Sequence, residues 1–179
     1  MDFGHVAGIR EYLWQNNGVE RYLEQLCDWN WAASALDALI SWLDDKSQTE
    51  AVERVIVGKE ENLKRIAALL SESTNIMLVS LVESLLRLFG FRSIASALAS
   101  NDRLRVTPVI FDRLSFNGHN AVVRVDLVKM LVSLFESHPN QRQFAIDNQL
   151  EQRLIPLTRD KLVIIQGLAS RLLESIRAL

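Results

Sequence analysis

A pattern of four apolar residues at relative positions 0, 3, 4 and 7 occurs four times along the chain. The copies begin at Leu36, Val82, Val128 and Ala169, so the intervals between them are 46, 46 and 41 residues. One copy alone would indicate only an amphipathic helix, because this spacing places the four side chains on one helical face. Four copies at a nearly constant interval indicate an internal repeat, which restricts the chain to repetitive architectures.

The residues between the copies favour helices throughout. Apolar residues recur at spacings of three and four, and only 7 glycines and 3 prolines interrupt the 179 residues. Each repeat has room for one short and two longer helices, and the interval matches the roughly 40–47 residues of armadillo and HEAT units. We therefore predict an all-α fold, an armadillo-like right-handed α-solenoid of about four three-helix repeats. The predicted single domain is 1–179, with repeats near 1–46, 47–91, 92–137 and 138–179.

Three short segments mark the boundaries between the predicted repeats. Their sequences are "DDKSQTE", "FGFRS" and "SHPNQ". In the last of these, Pro139 ends one helix. Asn140 can cap the next helix, with Gln143 three residues later as in a capping box.

The tryptophan-rich segment "DWNWAASALDALISWLDD" contains the first apolar copy. Trp31, Ala35 and Trp42 form a second stripe on its predicted helix, at spacings of four and seven. A helix in the middle of a solenoid is covered by its own unit and by both neighbours, so it can be apolar on nearly every side. We interpret the stripe as core between repeats. The alternative is that one tryptophan is an exposed anchor for a partner.

The residue patterns that support catalysis are missing from the sequence. Glycines are scattered, so there is no phosphate-binding loop or dinucleotide fingerprint, and the glycine-rich loop, HRD and DFG elements of protein kinases are absent. The three histidines, His5, His119 and His138, are far apart, and Cys27 is the single cysteine. We predict no catalytic residue, no cofactor and no metal site.

The charge balance and the first residues also restrict location and partners. With 20 basic and 22 acidic residues, the chain has no block of like charge that favours nucleic acid or a membrane surface. The first residues lack the basic start and apolar block of a signal peptide. A lone cysteine fits a reducing compartment. These features favour a cytoplasmic protein with neither nucleic-acid nor membrane partners.

A polar ladder is the predicted protein-binding surface. In an armadillo solenoid the third helices line the concave groove, with side chains one and five places after the start of each apolar copy. These places hold Asp37, Glu83, Arg87, Lys129 and Ser133, together with Ser41, Ser170 and Glu174. Ser34, Ser80 and Asp126 lie one turn earlier. The alternative, that these residues are only the solvated sides of buried helices, stays open at this point.

A row of basic residues is the alternative binding surface. Arg21, Arg65, Arg105 and Arg153 recur, with Lys64, on the predicted second helices. Such a row could contact an acidic partner, although arginines on solvated faces are common.

The segment "LWQNNGVERYLEQLCDWNWAASALDALISWLDD" resembles the C-terminal armadillo region of the fungal septation-initiation (mitotic-exit network) serine/threonine kinases. The matching residues are Trp14, Gln15, Asn16, Gly18, Tyr22, Leu23, Leu26, Trp31, Ser34, Ala35, Leu36, Asp37, Ala38, Leu39, Trp42 and Leu43. A second segment, "DRLSFNGHNAVVRVDLVKMLVSLFESHPNQRQFAIDNQLEQRL", is similar to the same family and to the plant MAP-triple-kinase epsilon proteins.

The resemblance implies a non-catalytic protein-interaction domain of a larger septation or cytokinesis kinase. It implies recruitment of that kinase to a Ras-like GTPase and a scaffold at the spindle pole body. Two alternatives stay open: a homodimerisation module of the kinase, and a generic armadillo scaffold unrelated to kinases. The homodimer is considered because the terminal repeats of a short array leave end faces that need covering.

Overall fold

Helices make up most of the chain that the structure describes, and no strand occurs in that part. The computed structural model describes residues 11–116, 118 and 120–179. Residues 11–15 are helical. The α-helices that follow are α1 (Gly18–Gln25), α2 (Ala32–Leu43), α3 (Thr49–Val57), α4 (Glu60–Ser71), α5 (Asn75–Phe89), α6 (Arg92–Ala99), α7 (Val106–Ser115), α8 (Ala121–Ser137), α9 (Gln141–Asp147), α10 (Leu150–Leu154) and α11 (Val163–Arg177). The short 3-10 helices are Asp102–Leu104 and Ile155–Arg159. The all-α class is confirmed.

The helices can be assigned to the predicted repeats, whose bounds stay a prediction. The helix over residues 11–15, α1 and α2 fall in the first repeat, and the following helices fall three by three in the next repeats. Each of the three predicted boundary segments contains a break between two helices and overlaps the end of at least one of them. Asn140 caps α9, since its side-chain oxygen accepts a hydrogen bond from the backbone N–H of Gln143 at 3.0 Å. The right-handed solenoid and the single domain stay predictions.

The four apolar copies form the core of the last helix in each predicted repeat. Their residues lie on α2, α5, α8 and α11. Leu86, Val132 and Ile176 are half-buried, and the other copy residues are buried. The pattern that indicated the repeat is therefore a pattern of buried side chains.

The chain divides into two compact units, Met1–Arg65 and Ile66–Leu179. In the first unit, α1, α2 and α3 pack against one another. Trp42 is buried in this core, and its ring lies 5.8 Å from that of Trp14. Ala35 is buried as well, but Trp31 is 59% exposed. The core prediction is wrong for Trp31, because this residue is the N-cap of α2 and precedes its first turn.

In the second unit, α8 is the central helix. It packs against α5, α6, α7, α9 and α11. Its buried residues are correspondingly distributed around the helix: Val123, Asp126, Leu127, Val128, Met130, Leu131, Leu134 and Phe135. Neighbouring helices therefore cover α8 from several sides, and its buried residues are mostly apolar.

Arg113, near the end of α7, binds the turn between α4 and α5. Its Nε donates to the carbonyl oxygen of Leu70 at 2.9 Å, and its Nη2 donates to those of Ser73 at 2.6 Å and Ser71 at 3.2 Å. Its Nη1 donates to the side-chain oxygen of Asn75 at 3.2 Å. Leu70 and Ser71 end α4, where helix carbonyls lack partners and attract a cation. Burial lowers the pKa of the Arg113 guanidinium.

A second arginine holds the start of α11 against the start of α8. The guanidinium of Arg124, on α8, binds both carboxylate oxygens of Asp160, which precedes α11. Asp160 also accepts a hydrogen bond from the backbone N–H of Leu162 at 3.0 Å, and its carbonyl accepts one from Gln166 at 2.6 Å. The hydrogen bond from Arg124 is the main cause that lowers the pKa of the Asp160 carboxyl, while desolvation opposes it.

We expect Arg113→Lys to lower the free energy of unfolding by about 2–3 kcal/mol, because an ammonium group cannot reproduce the forked set of charge-assisted bonds. Urea denaturation followed by circular dichroism measures the change. Arg103→Lys is the control, since Arg103 is exposed and should change stability by less than about 0.5 kcal/mol. Equal stability of the two variants would show that the Arg113 bonds contribute nothing net.

We expect the wild-type protein to lose more stability than Asp160→Asn as the pH falls from about 5 to about 3. A carboxyl whose folded pKa is lowered stabilises the fold above its ordinary pKa of 3.8. This contribution is lost as the pH falls through the folded value. An asparagine side chain carries no titrating carboxyl, so Asp160→Asn lacks this part of the loss of stability at low pH.

Urea midpoints at several pH values measure the difference. Asp112→Asn, at an exposed position on α7, should keep the wild-type pH profile. If the stabilities of wild type and Asp160→Asn fell in parallel as the pH is lowered, the pH-dependent contribution could not be assigned to Asp160.

Candidate functional site

The predicted ladder falls on both compact units. Glu83 and Arg87 are exposed on α5, and Lys129 is exposed and Ser133 half-buried on α8. Because α5 packs against α8, these four residues lie on neighbouring helices of the Ile66–Leu179 unit. Asp37 is exposed on α2, in the Met1–Arg65 unit.

The charge of Lys129 is partly balanced within the ladder. Its ammonium lies 3.1 Å from a carboxylate oxygen of Asp126, three residues earlier on α8. The side chain of Lys129 is 45% exposed and that of Asp126 is 9% exposed. The aspartate therefore orients the lysine while leaving its ammonium accessible to solvent and to a partner.

The alternative basic row contains residues in different environments. Arg21 is exposed on α1, and Arg65 is half-buried on α4, where its Nη1 donates to Asn62 at 3.3 Å. Arg153 is exposed on α10, and its guanidinium lies 5.2 Å from the centre of the Phe111 ring.

Arg105 does not lie within a helix, contrary to the prediction. It is the N-cap residue of α7 and has a left-handed backbone with φ of 51°. The reason is the short turn that separates the 3-10 helix Asp102–Leu104 from α7. The row is therefore not a uniform line of charges on second helices.

A row of exposed apolar residues at the starts of α5, α8 and α11 was missed by the sequence analysis. Ile76 is 85% exposed, Val122 is 64% exposed and Val163 is 77% exposed. Each lies six residues before the first residue of its apolar copy, so the same position recurs in three repeats. We call these three residues the apolar row. Continuing the ladder by one turn toward the start of each helix would have found them.

The two arginine contacts bring the apolar row together. Arg113, eight residues before α8 begins at position 121, binds Asn75 at the start of α5. Arg124, in the first turn of α8, binds Asp160 just before α11. These contacts place the end of α7 beside the start of α5 and the first turn of α8 beside the segment that leads into α11. Since α8 also packs against both α5 and α11, we infer that the starts of these three helices are neighbours with α8 in the middle.

Among the cavities in the described part of the Ile66–Leu179 unit, two are lined by residues away from the apolar row. One, of about 340 Å³, has a polar lining that includes Asn101, Asp102, Arg105 and Asp147. The other, of about 440 Å³, lies between α9, α10 and α11, and its lining includes Ile146, Ile176 and Leu179.

Within the described residues, no group of three or more histidine, cysteine, aspartate or glutamate side chains is placed to hold a metal ion. His5 and His119 lie outside those residues. No described helix is long and apolar enough to cross a membrane.

Comparison with known proteins finds relatives along nearly the whole chain. It is 26% identical to MAP3K epsilon protein kinase 1 of Brassica napus, over 98% of this chain and 14% of that protein. It is 25% identical to MAP3K epsilon protein kinase 1 of Arabidopsis thaliana, over 98% of this chain and 13% of that protein. It is 27% identical to cytokinesis protein sepH of Emericella nidulans, over 97% of this chain and 13% of that protein.

The chain therefore spans about one-seventh of the length of the relatives it matches. The similarity to plant kinases and to a fungal cytokinesis protein agrees with the expected relationship. No protein-family model matches the chain. No solved structure matches it either.

Proposed function

We propose that this chain is a non-catalytic protein-interaction region of a septation or cytokinesis signalling kinase. The observation that carries the proposal is the similarity over 97–98% of the chain to proteins named as MAP3K epsilon kinases and as cytokinesis protein sepH. The matched region is only 13–14% of those proteins, and this sequence has none of the phosphate-binding elements of a kinase. Its contribution to the kinase would then be binding.

The partner we propose is a Ras-like GTPase, together with a scaffold at the spindle pole body, with the complex in the cytoplasm. This part of the proposal rests on the family resemblance of the sequence. The ladder is the proposed contact surface, because it combines exposed charges of both signs on helices whose other faces are buried. A rigid helical scaffold keeps such side chains at fixed spacing, which lowers the entropy lost on binding.

Arg87 is the ladder residue that we expect to matter most. A guanidinium can bind a carboxylate with two hydrogen bonds and can stack on an aromatic ring. Interface energy concentrates in a few central, desolvated contacts, often with arginine among them. Arg87 is near the middle of the ladder in sequence order, and it lies in the last turn of α5.

We expect Arg87→Ala to weaken partner binding by about 1–3 kcal/mol while changing the free energy of unfolding by no more than about 1 kcal/mol. The measurement is a pull-down and titration of the 179-residue chain against the septation GTPase loaded with GDP or with a GTP analogue. Arg105→Ala is the matched control from the alternative basic row and should bind like wild type.

The reverse pattern, with Arg105→Ala defective and Arg87→Ala normal, would move the contact to the basic row. Absence of binding in both nucleotide states would contradict the GTPase as partner. If both variants lost partner binding equally and their Tm fell, these side chains would be supporting the fold.

We expect ATP with magnesium to leave the Tm of this chain unchanged, because the sequence lacks a nucleotide-binding element. A specific ligand at 100 times its dissociation constant would add about 2.7 kcal/mol of stability. Differential scanning fluorimetry measures the shift. An increase in Tm that depends on ATP concentration and saturates would contradict the non-catalytic assignment.

A further inference from the structure

We infer that the apolar row, Ile76, Val122 and Val163, is a surface through which two copies of this chain associate. The proposed arrangement is antiparallel about a two-fold axis that passes beside Val122. In that arrangement Val122 meets its own counterpart, and Ile76 of each copy meets Val163 of the other. A self-complementary surface of this kind is what a two-fold dimer requires.

The first argument is the exposure of the apolar row at equivalent positions. Single exposed apolar residues are common on protein surfaces and need no explanation. Here three such residues stand at one position of three successive repeats, on helix ends that arginine contacts hold side by side. Val79, at 49% exposed, and Ile164, at 61% exposed, widen the surface at its two ends.

The second argument is that the charges beside the two ends are opposite. Glu72 is exposed in the turn before α5, at the Ile76 end of the row, where the half-buried Arg113 is bonded to the carbonyls of Ser71 and Ser73. Arg159, at the end of the 3-10 helix, and Lys161, in the turn that follows it, are exposed at the Val163 end. An antiparallel pair places the exposed Glu72 of each copy against the exposed Arg159 and Lys161 of the other. A parallel arrangement would place like charges together, which is unfavourable.

The apolar row is separate from the centre of the ladder. Arg87 lies eleven residues after Ile76 on α5, which is about 16 Å along a helix at 1.5 Å per residue. A dimer built on the row therefore leaves that part of the ladder available for another protein. The inference does not rest on the proposed function, because self-association and partner binding are measured separately.

The direct test is the mass of Val122→Asp in solution, by light scattering or sedimentation across the micromolar range. Wild type should approach the mass of two chains as concentration rises, and the variant should stay near the 20.4 kDa of one chain. Two aspartates at the axis repel each other, so the dimer dissociation constant should rise at least about tenfold. The variant should fold normally, since aspartate is favourable in the first turn of a helix.

Ile146→Asp is the matched control. Ile146 is 61% exposed on α9, similar to Val122, but lies by the cavity between α9, α10 and α11. The control should keep the wild-type dissociation constant. If Ile146→Asp gives monomers and Val122→Asp does not, the chain associates through its last repeat and the inference is wrong.

A charge exchange tests the antiparallel arrangement. Glu72→Lys alone should weaken the dimer, because it places a basic side chain of each copy against Arg159 and Lys161 of the other copy. Lys161→Glu alone should weaken it through loss of the attraction to Glu72. The double variant should recover most of the wild-type affinity, because each pair is restored with its signs exchanged. A monomeric wild type throughout the micromolar range, or a double variant as weak as the singles, would overturn the proposal.

Discussion

Two arginine side chains fix the positions of the helices that carry the candidate surface. Arg113 neutralises the carbonyl end of α4 and holds the start of α5, and Arg124 holds the segment that leads into α11. Arg113 precedes the start of α8 in the chain, and Arg124 follows it. Helix α8 is the central helix of the Ile66–Leu179 unit. Helix packing by apolar side chains alone allows a range of crossing angles. Bonds that join a particular guanidinium to particular carbonyl and carboxylate oxygens define the alignment of the helix ends.

When the helix starts are aligned in this way, residues at the same position of successive repeats form one surface. Once the starts of α5, α8 and α11 lie beside one another, residues at equivalent positions become spatial neighbours. The result is an apolar row at the helix starts and a polar ladder further along the same helices. An apolar surface suits a partner that stays bound, whereas exposed charges favour specificity and rapid association. The two surfaces therefore suit different contacts, self-association for the row and a second protein for the ladder.

Much of the fold was predictable because burial in helices follows a period that the sequence displays. The apolar copies gave the helical class and the buried positions, and Asn140 was predictable as a cap because its hydrogen bond is local. Trp31 was assigned wrongly, because the spacing does not reveal where a helix begins. The four bonds of Arg113 were not predictable, since they join residues about 40 positions apart and one arginine gives no periodic signal.

The candidate site was predictable only in part, for a related reason. Ladder positions follow from counting along each helix, and Glu83, Arg87 and Lys129 are exposed on helices, while their role in binding stays a prediction. The same counting reaches Ile76, Val122 and Val163, but apolar residues on a helix are ordinarily assigned to the core. Their exposure depends on which neighbouring elements cover the helix ends, and that is a property of the tertiary structure.

The distance between the starts of α5 and α11 tests the arginine-held alignment most directly. Spin labels at Ile76→Cys and Val163→Cys, in a Cys27→Ser background and diluted with unlabelled protein, report this distance within one chain by double electron–electron resonance. Two adjacent helix spacings of 8–10 Å predict a narrow distribution centred at about 20 Å. A broad distribution, or one centred far beyond that separation, would contradict the alignment and with it both proposed surfaces.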